Sequence, residues 1–528
     1  MNIQARFKPV YLLVALALAP ALPVEAEVRE VVILYTNDFH SAIDPIPAYW
    51  LDEEPTPRLG GAAYLMSLVE QIRDRESQAG NPVFLFDTGD MFTGMVSKLT
   101  RGEALMEMMT TLAYDAMAIG NHEFDYGWQG FRQQLFRAPF PVLGANIFYA
   151  GTEIPFSRPH AILEKDGFRI GVIGVIGQDA KSVALPSLLE GLEFYDPAPY
   201  LAVSIRELEP EVDLIVVLAH QGKTGPMQTD AEAHPDLQRD FDADIELCGK
   251  VPGVDVLVGG HAHRGIETPY VHPETGSLIV QTYGYGTRLG FLRLRVDTET
   301  GRVVSGDGEL LPVRSDKLPA HPRMTAKMER YKREVAPVIG EVVGSAATRL
   351  TRSYNTESLL GSFASDVLRG LTDAEVAFMN AGGLRADLPQ GAISLGHVQD
   401  AFPFYNTVVV LELTGSQIRE VLEQGLTLER GMIQVSGLAA RYDLGRPKGR
   451  RLVALEIQGK PVNEERRYRV AVNSFMAEGG DLYQTFTRGK RVKEIDQDIA
   501  AVIINYLKTH PGPVPPPAMG RLLPSALK

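Results

Sequence analysis

Cysteine is nearly absent from this 528-residue chain: Cys248 stands alone, so no disulfide can form within it. A surplus of positive charge is missing too. With 52 Lys and Arg against 66 Asp and Glu, the formal net charge is -14. That balance argues against binding a nucleic acid polymer, which calls for a basic face to neutralise phosphates. An anionic substrate would need local cations, either metal ions or a few placed arginines, to overcome the field of the whole protein. Internal repeats and long low-complexity tracts are lacking, and no long apolar run follows the first 26 residues.

Those 26 residues carry Arg6 and Lys8, then "VYLLVALALAPAL", then small residues in "VEA". This is the layout of a secretory signal peptide and is short for a transmembrane helix. The expected product is a periplasmic or secreted chain starting near Glu27, with no stable membrane anchor, since neither a lipid-accepting leader cysteine nor a hydrophobic C-terminal tail is present. Hydrophobic residues at 45% and charged residues at 22% fit a folded globular protein. The length implies two or three domains.

From residue 31 to about 290, short runs rich in Val, Ile and Leu recur: "VVILY", "VFLF", "AMAI", "RIGVIGVIG", "DLIVVL", "VDVLVGG" and "LIVQTY". They read as buried strands, and "AAYLMSLVEQIRDRE" and "GEALMEMMTTLA" between them have helical spacing. The first half is thus expected to be a layered α/β domain over 27–318. The stretch 319–340, charged and bracketed by prolines, reads as a linker helix polar on most faces. Residues 341–528 mix strands ("TVVVLEL", "RLVALEI", "RYRVAVN") with helices and suggest a smaller α+β domain.

Each apolar run of the first half leads into a potential metal ligand. "VVILY" precedes Asp38 and His40, two apart, which in an extended backbone would point the same way. "VFLF" leads to Asp90, "AMAI" to "GNHEFD" with Asn121, "DLIVVL" to His220, and "VDVLVGG" to His261 and His263. A lone histidine or a post-strand aspartate is ordinarily a solvated or turn residue. Five strand ends carrying such groups together point instead to a metal site outside the carboxyl ends of a sheet. Three carboxylate or amide oxygens and four imidazoles exceed what one catalytic zinc takes and suit two ions sharing a carboxylate. With no cysteine ligand, zinc, manganese, iron and cobalt stay open.

In this order and spacing, "NDFH", "DTGD", "GNHEFD", "AHQG" and "GGHAH" resemble the 5'-nucleotidase and UDP-sugar hydrolase family of metallophosphoesterases, over nearly the whole mature chain. The resemblance implies a four-layer αββα domain holding two divalent metal ions, followed by a substrate-binding domain. One ion would take Asp38, His40, Asp90 and His263, the other Asp90, Asn121, His220 and His261. His122 and Asp125 would be the catalytic pair, with Glu123 structural and Asp87 a turn or supporting group. The second domain would hold a nucleotide through Asn380, Arg385, Phe404, Phe475 and Asp481. Two departures stand out: Tyr354 sits where many relatives have a phosphate-contacting arginine, with Arg352 two residues earlier, and Tyr405 replaces a frequent glycine.

The implied activity is hydrolysis of nucleoside 5'-monophosphates by a monomer acting on a small-molecule nucleotide. Rival activities are a nucleotide-sugar hydrolase, a 2',3'-cyclic nucleotide phosphodiesterase and a thiosulfohydrolase. A non-catalytic nucleotide-binding protein is disfavoured, because binding alone has no need of His122 and Asp125.

Overall fold

The structure, a computed structural model, describes residues 28–48, 51, 53–178, 188–222 and 241–525; the leader read at the N-terminus lies outside them. Every apolar run named above contains a strand. Val28–Thr36, Val83–Asp87, Ala116–Ala118 and Val142–Leu143 run parallel in one six-stranded sheet, completed by the antiparallel pair Arg288–Asp297 and Arg302–Pro312. A second six-stranded sheet is built on parallel Phe168–Ile176, Leu214–Gln221, Val256–His261 and Leu278–Val280.

Period-two alternation divides each strand between two cores. Val31, Ile33 and Tyr35 face the space between the sheets, where they meet Val172, Val216, Leu218 and Val258. Val32 and Leu34 face the other way, onto Leu65, Val69 and Ile72 of the helix Ala62–Ala79 and Leu105 and Met109 of Glu103–Leu112. Beyond the second sheet, Ile173, Val217 and Leu257 pack on Leu201, Ile205 and Leu247 from helices Pro197–Leu208 and Asp242–Lys250. The layers are therefore helix, sheet, sheet, helix, and both sheets deliver their carboxyl ends to the same edge.

The helix Pro322–Ile339 differs from the expectation of a helix polar on most faces. Met324, Met328, Tyr331 and Val335 form a buried stripe at helical spacing, and the first three belong to the core beneath Ala62–Ala79. Glu107 reinforces this seat, accepting hydrogen bonds from Lys327 Nζ at 2.6 Å and Tyr331 Oη at 2.6 Å. Beyond it lies a five-stranded sheet of Gln434–Ser436, Val376–Met379, Arg467–Asn473, Thr407–Thr414 and Lys490–Asp498. Its faces are covered by separate cores, one under Gly415–Gly425 and one under Leu359–Thr372 and Ile499–Thr509.

Candidate metal centre and substrate face

The seven proposed ligands converge on one buried place, although not by the extended geometry expected of Asp38 and His40. Both lie past the end of Val28–Thr36 with left-handed backbones, at φ 53 and φ 48, as do Asp90 (61), His261 (67) and His263 (52). A non-glycine residue in that region costs about 1–2 kcal/mol, and such outliers gather at functional sites where surrounding structure enforces them. Here the sharp turns let the chain leave its strands while its side chains fold back to a common point.

At one end, His40 Nε2 and His263 Nε2 are 3.0 Å apart, with Asp38 Oδ1 at 3.2 Å from the latter and 3.9 Å from the former. Asp38 Oδ2 accepts from Asn37 Nδ2 and the backbone N–H of His261, whereas the buried Oδ1 accepts no hydrogen bond from the described residues. At the other end, His220 Nε2 faces Asp90 Oδ1 at 3.2 Å and Asn121 Oδ1 at 3.1 Å. His220 Nδ1 donates to the Thr88 carbonyl at 2.7 Å, which fixes the tautomer and turns Nε2 toward the two oxygens. The ligand atoms of Asp90, His220 and His261 lie within 4.8 Å of one another, and those of His40, Asp90 and His122 do likewise. Asp90 thus stands between the two ends.

Electrostatics describe a site shaped for cations. Burial, then the neighbouring Arg385 guanidinium and the imidazoles of His263 and His122, hold His40 well below the ordinary imidazole range. Burial and His220 do the same for His261. Burial would raise Asp90, but His220, His122 and His40 outweigh it and keep its carboxyl well below the usual range. Burial disfavours the His220 imidazolium, but Asp90, Asp38 and Glu123 outweigh it and raise His220 to about 10, a proton that a bound cation would displace. The neutral lone pairs of His40 and His261 and the ionised Asp90 in one buried place are donors that suit a divalent cation. The residues fit the metals implied for them.

His122 stands beside this cluster. Its Nδ1 lies 3.0 Å from both oxygens of Asp125, and its Nε2 is 3.8 Å from Asp90 Oδ2. Burial disfavours the imidazolium, yet Asp125 and Asp90 raise the His122 pKa above the ordinary value. Glu123 accepts from the backbone N–H groups of Gly120 (2.7 Å), Met91 (2.8 Å), Asp90 (2.9 Å) and Phe92 (3.4 Å). It ties the loop carrying Asp90 to the loop carrying Asn121. Asp87 likewise accepts from Thr36 Oγ1 and the Gly89 N–H, bracing the same turn.

From the second half, Phe404 stacks on the His122 ring, centroids 5.4 Å apart and planes at 18°. The Arg385 guanidinium lies 5.8 Å from the Phe404 centroid and 5.9 Å from that of Tyr285. Asn380 donates to Asp481 at 2.6 Å and accepts from Asn473 at 2.9 Å. Phe475 packs so closely on Gly480 that an added Cβ would meet its ring at 2.5 Å. Among the described residues, Phe404 is paired with His122 and no ring stack with Phe475 is seen. Tyr405 points to Lys98, whose ammonium is 5.8 Å from its ring centroid. Tyr354 is buried in the core of the second half, its carbonyl accepting from the Met432 N–H at 2.6 Å.

Two residues lie outside what the sequence reading singles out. Tyr285, in "GYG", lies 5.3 Å from His40 and 5.9 Å from His263 by ring centroids. Its position past the run "LIVQTY" is a signal, but a search for ligand-type side chains passes over it. Arg430 is buried, and its charge acts on both His261 and Asp481; nothing in "LERGM" marks it among other arginines.

Residues 31–265 match the family model for calcineurin-like phosphoesterases, and residues 338–488 match that for the 5'-nucleotidase C-terminal domain. Fold and site thus define a metallophosphoesterase of two-part construction. The chain belongs to the 5'-nucleotidase family. It is 28% identical to a trifunctional nucleotide phosphoesterase of Bacillus subtilis over 93% of this chain, but spans only 35% of that longer protein. It is 27% identical to a 5'-nucleotidase of Diplobatis ommata, covering 94% of this chain and 89% of the relative. A 5'-nucleotidase precursor from Thermus thermophilus superposes with a TM-score of 0.81 at 28% identity, over 94% of this chain and 100% of that one.

Proposed function

We propose that this chain is a metal-dependent phosphohydrolase that releases phosphate from nucleoside 5'-monophosphates, using two divalent ions of the zinc, manganese or cobalt kind. The observation that carries this reading is the placement of Asp90 between two buried ligand groups, with the His122–Asp125 pair alongside. When bound, the ions supply Lewis acidity toward the phosphoryl group and its nucleophile.

The remaining chemistry belongs to the side chains. Asp38, His40, Asp90 and His263 would hold one ion; Asp90, Asn121, His220 and His261 the other. Asp125 accepts the Nδ1–H of His122, leaving Nε2, on the side of Asp90, to donate to a phosphoryl oxygen as negative charge grows there. Arg385 approaches from the second half as a guanidinium suited to phosphate. Phe404 and Phe475 would hold the base by stacking, which does not depend on its identity, and Asn380 and Asp481 would meet the ribose hydroxyls.

The reading includes a division into residues 27–318, a linker helix over 319–340 and a substrate domain over 341–528, and it includes export of a monomer to the periplasm or beyond. Among the described residues no helix is long and apolar enough to cross a membrane. The test is a phosphate-release panel on metal-reconstituted protein with AMP, UMP, UDP-glucose, 2',3'-cyclic AMP and thiosulfate. Release fastest from AMP or UMP supports the proposal; activity confined to another member of the panel overturns the substrate class.

A further inference from the structure

Tyr285 holds an expensive conformation. Its φ is 63, in the left-handed region, and its N–H donates to the Asp38 carbonyl at 2.8 Å. The neighbours on both sides are glycines with no room for a side chain: a Cβ on Gly284 would meet His263 Nδ1 at 2.8 Å, and one on Gly286 the Phe39 ring at 2.5 Å. Glycine at 285 would relieve the backbone. A large aromatic ring stands there instead, where the first half of the chain meets the second.

Its counterpart across that junction is Arg385. Nε and Nη2 of Arg385 are buried and make no hydrogen bond to the described residues. Tyr285 and Phe404 lie at nearly equal distances from its guanidinium, 5.9 and 5.8 Å, and each ring also abuts the metal centre, Tyr285 at His40 and Phe404 at His122. Contact with aromatic rings leaves the in-plane N–H fork of a guanidinium free. A buried cation with free donors calls for an anion.

We propose that Tyr285 is a positioning residue that holds Arg385 over the metal centre, so that the guanidinium fork presents to a phosphate group. The phosphate is that of the nucleotide in the function proposed above, and the inference rests on that reading for the identity of the anion. The ring face acts by restraining a long side chain that would otherwise lose rotamer freedom when phosphate binds.

The test is a double-mutant cycle read by calorimetric titration of inorganic phosphate into the metal-loaded full chain, with metal content measured for each variant. Tyr285→Leu is expected to weaken phosphate binding about three- to thirtyfold, the range of a partly desolvated cation–π contact. Tyr285→Phe, which keeps the ring, should retain most of the affinity. In an Arg385→Gln background, Tyr285→Leu should cost almost nothing further. Additive losses, a Phe variant as weak as the Leu variant, absence of phosphate binding by the wild type, or loss of metal in Tyr285→Leu would each overturn the proposal. AMP hydrolysis on the same proteins separates the two claims: a coupled cycle without AMP turnover leaves Tyr285 its role and removes the nucleotidase reading, and turnover with an additive cycle does the reverse.

Discussion

His40 Nε2 and His263 Nε2 face each other at 3.0 Å inside the protein, with Asp38 Oδ1 3.2 Å from the second. Two imidazoles cannot both present a proton along one such line, and in the function proposed above both would turn lone pairs to a shared cation. Loss of groups that merely support a ligand lowers metal affinity about 10–100-fold, so His263→Ala should cost at least about tenfold. His263→Gln should cost less, because an amide oxygen is also a donor. Metal content after gel filtration is the readout, and unchanged content in the Ala variant would contradict the assignment.

The His122–Asp125 contact predicts a kinetic signature. Asp125→Asn removes the charge that favours the imidazolium and leaves an amide that can donate to Nδ1. Steady-state rates should fall about 10²–10⁴-fold, the span of positioned proton donors, with the metal content intact. Full turnover by Asp125→Asn would remove the dyad and leave the metal centre standing.

Glu123 predicts a loss of stability. Its carboxylate gathers four backbone N–H groups from two loops. Unpaired buried donors cost about 1–3 kcal/mol each. Glu123→Ala should therefore lower the unfolding free energy by at least about 3 kcal/mol in denaturant titration. A change under about 1 kcal/mol would mean that water or relaxed backbone replaces the brace.

The seat of the helix Pro322–Ile339 has a pH dependence. Burial opposes ionisation of Glu107, but Lys327, Tyr331 and Arg330 outweigh it and hold the carboxyl down at about 2. Because the folded pKa lies below that of the free side chain, near 4.5, the stabilisation is complete above that value. It is lost as the pH falls toward 2. Arg330 is half exposed, so screening limits the effect to about 1 kcal/mol. Glu107→Gln should be less stable than wild type by about that amount at pH 7 in urea and nearly equal to it at a pH of about 2. A constant difference at both pH values would assign the loss to packing.

Much of the fold is legible because the strands are buried on both faces and read as unbroken apolar runs. Their ends expose the proposed ligands, since His, Asp and Asn after such runs are visible without knowing how the chain turns. The turns themselves are not visible. Left-handed conformations at Asp38, His40, Asp90, His261 and His263 follow from tertiary packing, and pairwise spacing in an extended strand suggests a wrong route to convergence. The apolar stripe of Pro322–Ile339, with only Met324, Met328, Tyr331 and Val335, is masked by the charges around it. Tyr285 and Arg430 act through neighbours distant in the chain, which local sequence cannot reveal. Phe404 is recognisable as an aromatic of the second half, but its stacking on His122 belongs to the meeting of the two halves.

The most direct measurement is phosphate release from AMP by one protein sample, taken as purified, after removal of metal by chelation, and after resupply of zinc, manganese or cobalt. The account predicts release that disappears on chelation and returns with the metal in wild type, and that does not return in Asp90→Asn, where the carboxylate between the two groups has lost its charge. Release that survives complete metal removal, or full recovery by Asp90→Asn, would contradict it.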